Sequence, residues 1–576
     1  MNKQLQIRIG QHSDKGRKPV NQDFHGVTLP LGPELQSKGI ALAIADGISS
    51  SEVSHIASES AVTGFLEDYY GTTDTWSVKT SVERVLTAIN TWLYSQTRQN
   101  CYEDNDHGYV CTLTALVLKA NAAHLFHVGD SRIYRINVDG VEQLTEDHRI
   151  QRSSQRSYLA RALGINHRLD IDYRQIALEV GDIFLLATDG VYEFLHPEVF
   201  SQELKAADAD LEAIARAMVE QALSQGSDDN LTIQILRIES LPDMASYEMT
   251  QQLATLPCPP PLGTGIIIDG LKILHEIRIG SRSHVYLAEN TDNGKKFVLK
   301  APSTGMRDDR AYLERFLVED WIAQRLDNPH IVRPYLTHKA KSAIYVATEY
   351  VEGQSLAQWM RNNPKPDLVA LRDYMKQIAR GLRAFHRLEM LHQDLKPDNI
   401  LIDRHGTLKI IDFGAARVAG MAEAASGLDQ INLLGAAQYA APEYFLGESG
   451  SPRSDLYSLG VIAYQMLSGR LPYGDAVPKI RTIKARDKLK YVSLKHWDST
   501  IPYWIDAAIN KAVHPDPQQR HSEMSEFIHD LGHANPAFVA HRIRPLMHRN
   551  PLRFWQLLSL ILVCLVVALG LRLAAH

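Results

Sequence analysis

Over the first 240 residues the apolar positions fall in short unbroken runs. IALAIAD, AHLFHVGD, DIFLLATD and LTIQILRI each read as a buried strand. Between them VERVLTAINTWLYSQ and DLEAIARAMVEQALSQ carry helical patterning. Strands interleave with helices without a strict βαβ rhythm, which predicts an α+β domain over 1–240. Asp139-Gly140, between RIYRINV and VEQLT, reads as a hairpin turn. The polar, proline-rich stretch SLPDMASYEMTQQLATLPCPPPLGTG reads as a linker over 241–265. A second domain is expected over 266–535, short strands first and mostly helices after. Residues 536–553 are basic. From Phe554 to Leu571 no residue is charged, and at ~1.5 Å per residue this run spans about 27 Å, enough for a bilayer core.

Composition narrows the class. A chain of 576 residues is too long for one core and predicts several domains. With 45% apolar and 22% charged residues and a net charge of −6, it reads as globular and not as a nucleic-acid binder. Cys101, Cys111, Cys258 and Cys564 are scattered without metal-binding spacing, which fits a reduced, cytosolic setting. The start, MNKQLQIRIGQHSDKG, has no apolar core of a secretory signal. Arg542, Arg544, Arg549 and Arg553 precede the apolar run, and only Arg572 and His576 follow it as basic residues. That asymmetry predicts a single-pass C-terminal anchor in the cytoplasmic membrane, with both large domains in the cytoplasm. A buried C-terminal helix is the alternative.

Acidic residues punctuate the strand ends of the first half: Asn21-Gln22-Asp23, Asp46-Gly47, Asp189-Gly190 and Asp229-Asn230. Carboxylates held at strand ends make an oxygen-rich site suited to hard divalent ions. The order VNQD, ADGIS, GDSR (Gly129 to Arg132), RALG (Arg161 to Gly164), ATDG and DDNLT resembles the type 2C metal-dependent Ser/Thr phosphatases over about 230 residues. The resemblance implies a β-sandwich flanked by helices and a site for Mg²⁺ or Mn²⁺. Asp46 would bridge two ions and serve catalysis, with the Gly47 carbonyl on one of them. Asp189 and Asp229 would hold the second, Asp23 would hold metal-bound water, and Asp130 would support a third, weaker ion. Where the family usually places a phosphate-gripping Arg, this chain has Lys18, a point charge without the bidentate fork. Ser49 replaces the last glycine of the usual DGxG.

In the second half His392-Gln393-Asp394-Leu395-Lys396-Pro397-Asp398-Asn399 is followed after twelve residues by Asp412-Phe413-Gly414, and then by Ala441-Pro442-Glu443. This closely resembles the catalytic loop, metal loop and APE motif of protein kinases, over about 265 residues. The likeness implies a bilobal fold that uses ATP and Mg²⁺. Asp394 would accept the hydroxyl proton, and Lys396 would neutralise the γ-phosphate as in Ser/Thr kinases. Asn399 and Asp412 would hold the metal. Lys300 in FVLK would reach the phosphates, with Glu319 in the following helix as its partner; Glu314 lies in the same helix. Glu349 to Val351 would form the hinge to adenine, behind Thr348. Asp455 would brace the catalytic loop, and Glu443 and Arg520 would form a buried pair. Aligned on Val285-Tyr286, the glycine loop is poor: its three positions read Arg278, Gly280 and Ser283, so only the middle glycine remains.

Gln393 stands where an Arg normally reads a phosphorylated activation loop, and Ala436 stands where a threonine is usual. With Ser426 the only serine of that loop, the kinase is expected not to depend on activation-loop phosphorylation. Three functional readings remain open. In the first, one membrane-tethered chain phosphorylates and dephosphorylates protein Ser/Thr, with other proteins or the chain itself as substrate. In the second, an active phosphatase is regulated by a nucleotide-binding pseudokinase. In the third the chain is a non-enzymatic scaffold, which would predict lost acidic ligands where none is lost. Close fusion of these two families looks bacterial.

Overall fold

The computed structural model describes residues 4–99, 107–137, 140–153, 156–195, 199, 201, 204, 210–242, 256–335, 341–422, 437–536 and 551–574. The chain forms two units. The first is Met1–Leu256 with Leu388–Met390 and Arg417–Leu428; the second is Pro257–Arg387, Leu391–Ala416 and Asp429–His576.

Two antiparallel five-stranded sheets build the first unit. One has the order β1 (Gln6–Asp14), β12 (Leu231–Ser240), β11 (Ile183–Ala187), β6 (Arg132–Asn137), β7 (Gly140–Gln143). The other runs β10 (Asp172–Ala177), β5 (Ala122–Val128), β4 (Leu113–Lys119), β3 (Ile40–Asp46), β2 (Asp23–Thr28). The short hairpin of β8 (Arg149–Ser153) and β9 (Arg156–Leu159) lies outside both sheets. β6 and β7 pair from Tyr134↔Gln143 to Asn137↔Gly140, the hairpin expected at that turn.

The unbroken apolar runs have a structural cause. Along β3, Ile40, Leu42 and Ile44 enter a buried cluster that also takes Ile133, Phe184, Leu186 and Leu236 from the other sheet. Ala41, Ala43 and Ala45, on the opposite face, pack with residues of α1 (Ser54–Gly71) and α2 (Val78–Gln99). Covered on both faces, the strand has no use for polar alternation. α2 buries Val78, Val82, Val85, Leu86, Ile89 and Leu93, one stripe at three- and four-residue spacing. α3 (Leu211–Ser224) starts where the Asp210 carboxylate accepts from the backbone N–H of Glu212 and Ala213, at 3.1 and 3.3 Å.

The second unit opens with an antiparallel sheet in chain order: β13 (Ile267–Ile268), β14 (Leu271–Ile279), β15 (Ser283–Asn290), β16 (Lys296–Pro302) and β17 (Val346–Glu349). α4 (Arg310–Arg325) is inserted between β16 and β17. The remainder is mainly helical: α5 (Leu368–Arg387), α6 (Pro452–Ser468), α7 (Tyr503–Ala512) and α8 (Met524–Gly532). α6 begins at a capping box between Ser451 and Ser454 with Pro452 at its first position, so its start is specified locally. It buries most of its length, including Asp455, Leu456, Tyr457, Leu459, Ile462 and Tyr464.

Beneath it the Arg520 guanidinium meets Glu443 in a fully buried bidentate pair, both bonds at 2.7 Å, as expected from the sequence. Arg520 also donates to the carbonyls of His514, Arg453 and Pro515, and Glu443 accepts from the Ser454 hydroxyl. Arg520→Ala strips a buried carboxylate of its partner. It is expected to destabilise this unit by about 3–5 kcal/mol, seen as a lower urea midpoint for its unfolding transition.

One sequence-based expectation is corrected here. A helix, α9 (Pro551–Ala574), does cover the apolar run. Yet among the described residues no helix is long and apolar enough to cross a membrane. The transmembrane helix over 554–571 and the single-pass placement in the cytoplasmic membrane therefore fall away. The basic stretch 537–550, most of the proline-rich linker, Ser426 and Ala436 lie outside the described residues.

Candidate active sites

In the first unit the acidic residues gather where strands end. Asp23 and Asp46 are cross-strand partners at the start of β2 and the end of β3. Asp189 follows β11 at the head of a one-turn helix, Asp189–Tyr192, and Asp229 precedes β12. Asp130 follows β5 and is buried. Asp46 is held by its backbone: its N–H donates to the Thr112 hydroxyl at 3.0 Å and its carbonyl accepts from the Thr112 N–H at 2.8 Å. Asp23 is held by its side chain. One carboxylate oxygen accepts from the hydroxyls of Thr188 (2.9 Å) and Thr232 (2.7 Å), while the other is buried with no donor among the described residues.

Glycine is required after two of these acids because other backbone crowds in. A Cβ at Gly190 would sit 2.0 Å from the Asn230 carbonyl oxygen, and one at Gly47 would sit 2.8 Å from the Gln22 carbonyl oxygen.

Burial first, then mutual repulsion, lifts these carboxyls. Asp46 is pushed well above the usual carboxylate range by burial and by Asp23, Asp189, Asp130 and Asp229. Asp23 rises to about 6 through burial, despite the two threonine hydroxyls. Asp189 rises to about 7 through burial, then Asp130 and Asp229. Such a set of hard oxygens, one buried and unpartnered, fits a divalent cation in chemical kind. Among the described residues, however, no three His, Cys, Asp or Glu side chains converge as a ready metal cage.

Two basic side chains are paired with these acids. Lys18 lies 3.0 Å from an Asp229 carboxylate oxygen and donates to the Ser49 hydroxyl at 2.9 Å. Arg149 spans Asp130, Asp189 and Glu193 at 2.6, 2.8 and 2.8 Å.

The second unit gathers its polar residues just as closely. Lys300, on β16, is paired in register with Val285 on β15. Its ammonium lies 3.0 and 2.8 Å from the two Glu319 carboxylate oxygens on α4, and 3.0 Å from Asp412. Burial works against charge on Lys300, but Glu319 and Asp412 outweigh it and hold the amine above its ordinary range. Asp412 is drawn down to about 2, its burial overcome by Lys300. Burial pulls the other way on Glu319, up to about 7. With an ammonium against both of its oxygens, the ionised pair is the form the geometry supports. Glu319, and not Glu314, is thus the residue that meets Lys300.

Asp394 accepts from Lys396 at 2.7 Å and from the Asn399 side-chain amide at 3.0 Å, so these three residues form one constellation. Asp455 accepts from the backbone N–H of His392 and Gln393, both at 3.0 Å, and from His386 at 2.9 Å. Gln393 and Asp412 both adopt positive φ, +63° and +66°. Left-handed backbone at non-glycine residues persists only where surroundings enforce it, and it concentrates at functional sites. Gln393 donates to the Ser449 carbonyl at 3.3 Å, an uncharged partner. Glu349 ends β17; its carboxylate is taken by Lys409 at 2.6 Å and by the Arg333 N–H at 3.0 Å. Val351 follows it, half-buried. Gly280 closes a tight turn, its N–H donating to the Ser283 carbonyl at 2.9 Å.

Comparison with known proteins finds two domain families in the chain. Residues 11–231 match the family model "Protein phosphatase 2C", and residues 271–534 match "Protein kinase domain". The chain joins a phosphatase 2C domain to a Ser/Thr protein kinase domain. Among curated relatives, the serine/threonine-protein kinase PrkC of Bacillus subtilis is 31% identical over 47% of this chain and 41% of its own length. The serine/threonine-protein kinase PknA of Corynebacterium glutamicum is 37% identical over 34% of this chain and 43% of its own. The chain thus covers about two-fifths of either protein. Among solved structures, the serine/threonine phosphatase PstP/Ppp of Mycobacterium tuberculosis is 23% identical, covering 41% of this chain and 100% of that one, with a TM-score of 0.35, too low to carry weight by itself.

In the phosphatase domain, Thr188, Thr232, Arg149 and Glu193 escaped the reading of the sequence. The two threonines were findable, since each sits within one to three residues of a flagged acid in ATDG and DDNLT. Arg149 gave no local signal, because its partners come from two distant places in the chain, Asp130 and the turn from Asp189 to Glu193.

The raised carboxyls make a pH prediction for the metal-free phosphatase domain. Asp23 and Asp189 bind protons more tightly folded than unfolded, so they favour the folded state at acid pH. That contribution is lost as pH rises from the unfolded carboxylate value, about 3.9, through about 6 and 7. In EDTA the domain's melting temperature is expected to fall across this window and then level off. Mn²⁺ should flatten the fall by replacing the protons. A melting temperature that rises with pH in EDTA would contradict these environments.

Proposed function

We propose that this chain both writes and erases phosphate on protein Ser/Thr, its kinase domain using ATP and its phosphatase domain using divalent ions. The observation that supports the reading is the presence in one chain of two sets of side chains: Lys300–Glu319–Asp412 with Asp394–Lys396–Asn399, and the acids Asp23, Asp46, Asp130, Asp189 and Asp229 at strand ends.

On the kinase side Asp394 accepts the proton of the attacking hydroxyl, and Lys396 places its ammonium against the transferring phosphate. Lys300 grips the α- and β-phosphates while Glu319 fixes its position. Asn399 and Asp412 would hold Mg²⁺. The adenine lies along the Glu349–Val351 backbone, beneath Val285 and Gly280. The paired Lys300 and the Asp394 constellation favour an active kinase over a pseudokinase despite the sparse glycine loop.

On the phosphatase side Asp46, Asp23, Asp189, Asp229 and the Gly47 carbonyl would hold Mg²⁺ or Mn²⁺. Bound divalent ions would supply charge neutralisation at phosphorus and an acidified water as nucleophile. Thr188 and Thr232 orient Asp23, leaving its free oxygen to accept a proton from water. Lys18 reaches the phosphate as a single positive charge, once released from Asp229. The substrates are proteins bearing Ser/Thr or phospho-Ser/Thr, and the chain itself is the nearest of them.

The test uses the full chain with a phosphothreonine peptide and Mn²⁺, and separately with ATP, Mg²⁺ and a generic basic protein. Phosphate release in the first and transfer in the second are expected from one preparation. Release without transfer, in a preparation that binds ATP, would sink the dual reading and favour the pseudokinase.

A further inference from the structure

Resting on that reading of the phosphatase site, we propose that Arg149 fills the place of a divalent ion at the Asp130–Asp189 end and excludes a metal from it. All three guanidinium nitrogens are engaged by carboxylates. Nε donates to Asp130 Oδ2 at 2.6 Å, one terminal nitrogen to Asp189 Oδ2 at 2.8 Å, and the other to Glu193 Oε1 at 2.8 Å. These are charge-assisted bonds at close range, and an arginine does not deprotonate to release them. An ion at this end would need the same two Asp oxygens.

The arginine is also held in place by its backbone. It begins β8, and the neighbouring His148 is tied to Gly129, next to Asp130, in both directions. The His148 N–H donates to the Gly129 carbonyl at 2.7 Å, and the Gly129 N–H donates to His148 Nδ1 at 3.1 Å. The Ala160 N–H closes the hairpin on the His148 carbonyl at 2.7 Å. Arg149 therefore projects from a braced position, with a quarter of its side chain exposed.

The Asp23–Asp46 end differs. Among the described residues no arginine or lysine is paired with either side chain there, and one buried Asp23 oxygen has no donor. The site is thus asymmetric: one end is open to an ion, and the other is neutralised by the chain itself. The third, weaker ion implied at Asp130 is the one this arrangement displaces.

The test counts Mn²⁺ bound per chain by equilibrium dialysis of the full protein, stripped with EDTA and kept free of nucleotide. Wild type, Arg149→Ala, Arg149→Gln and the Asp130→Asn/Arg149→Ala double variant are compared. Arg149→Ala and Arg149→Gln are each expected to bind one more ion per chain than wild type, and the double variant to return to the wild-type count. In EDTA both single variants are expected to melt below wild type, since three carboxylates lose their cation, and to gain more from added Mn²⁺. The glutamine variant keeps the side chain's bulk should the alanine variant fail to fold. An equal, non-zero count in wild type and both single variants would overturn this inference while leaving the phosphatase reading intact. Wild type binding no Mn²⁺ would overturn both.

Discussion

Asp394→Asn is expected to cut phosphate transfer to protein by about 10²–10⁴-fold, the range typical for loss of a positioned general base. The change keeps the side chain's size and removes its charge. Lys396 and Asn399 both donate to one Asp394 oxygen, Oδ2, a place the amide oxygen of Asn can take, so the variant removes charge and basicity and keeps an acceptor for both donors. The nucleotide grip lies elsewhere, at Lys300, Glu319 and Asp412. The KM for ATP should therefore move by less than about threefold while kcat collapses, since the lost interaction belongs to the transition state. Initial rates with γ-labelled ATP separate the two parameters. A raised KM with unchanged kcat would place Asp394 in binding and not in catalysis.

Asp46→Asn is the counterpart for the other site. Hydrolysis of a phosphothreonine peptide is expected to fall by about 10²–10³-fold, as when one preorganised electrostatic group is removed from a transition state. Its effect on stability should run the other way. Asp46 is buried and repelled by Asp23, Asp189, Asp130 and Asp229. Neutralising it relieves that repulsion, so in EDTA the variant should melt at or above the wild-type temperature. A functional residue kept at a cost in stability behaves this way. An Asp46→Asn chain that melts well below wild type in EDTA would mean that the carboxylate is a structural partner.

Much of this was readable before any coordinates. Strands covered on both faces leave unbroken apolar runs, which is why β3, β5, β11 and β12 were visible in the sequence. The kinase residues were readable because the chemistry binds their spacing tightly: base, metal ligand and lysine recur within short motifs. Glu319 was separable from Glu314 only by alignment to NPHIVRP, and the Lys300 pair agrees with that choice. Asp23 and Asp46 were legible as acids at strand ends, and their cross-strand register brings them together.

What was not legible depends on distance along the chain. Arg149 meets Asp130, Asp189 and Glu193 only because a hairpin folds over the strand ends; nothing within its own segment announces this. Lys18 was assigned to phosphate, yet here it is engaged with Asp229 and Ser49. The C-terminal run was read as a helix, and a helix forms there. Its assignment as a membrane span is overturned, since among the described residues no helix is long and apolar enough to cross a membrane.

The most direct measurement of the central claim is a pulse and chase on one preparation. Full-length wild type and Asp46→Asn are labelled with γ-labelled ATP and Mn²⁺, then flooded with unlabelled ATP, and label on protein is followed with time. Label is expected to enter both chains, to decay from wild type and to persist on Asp46→Asn. Label that decays equally from both, or from neither, would contradict a chain that writes and erases phosphate at two separate sites.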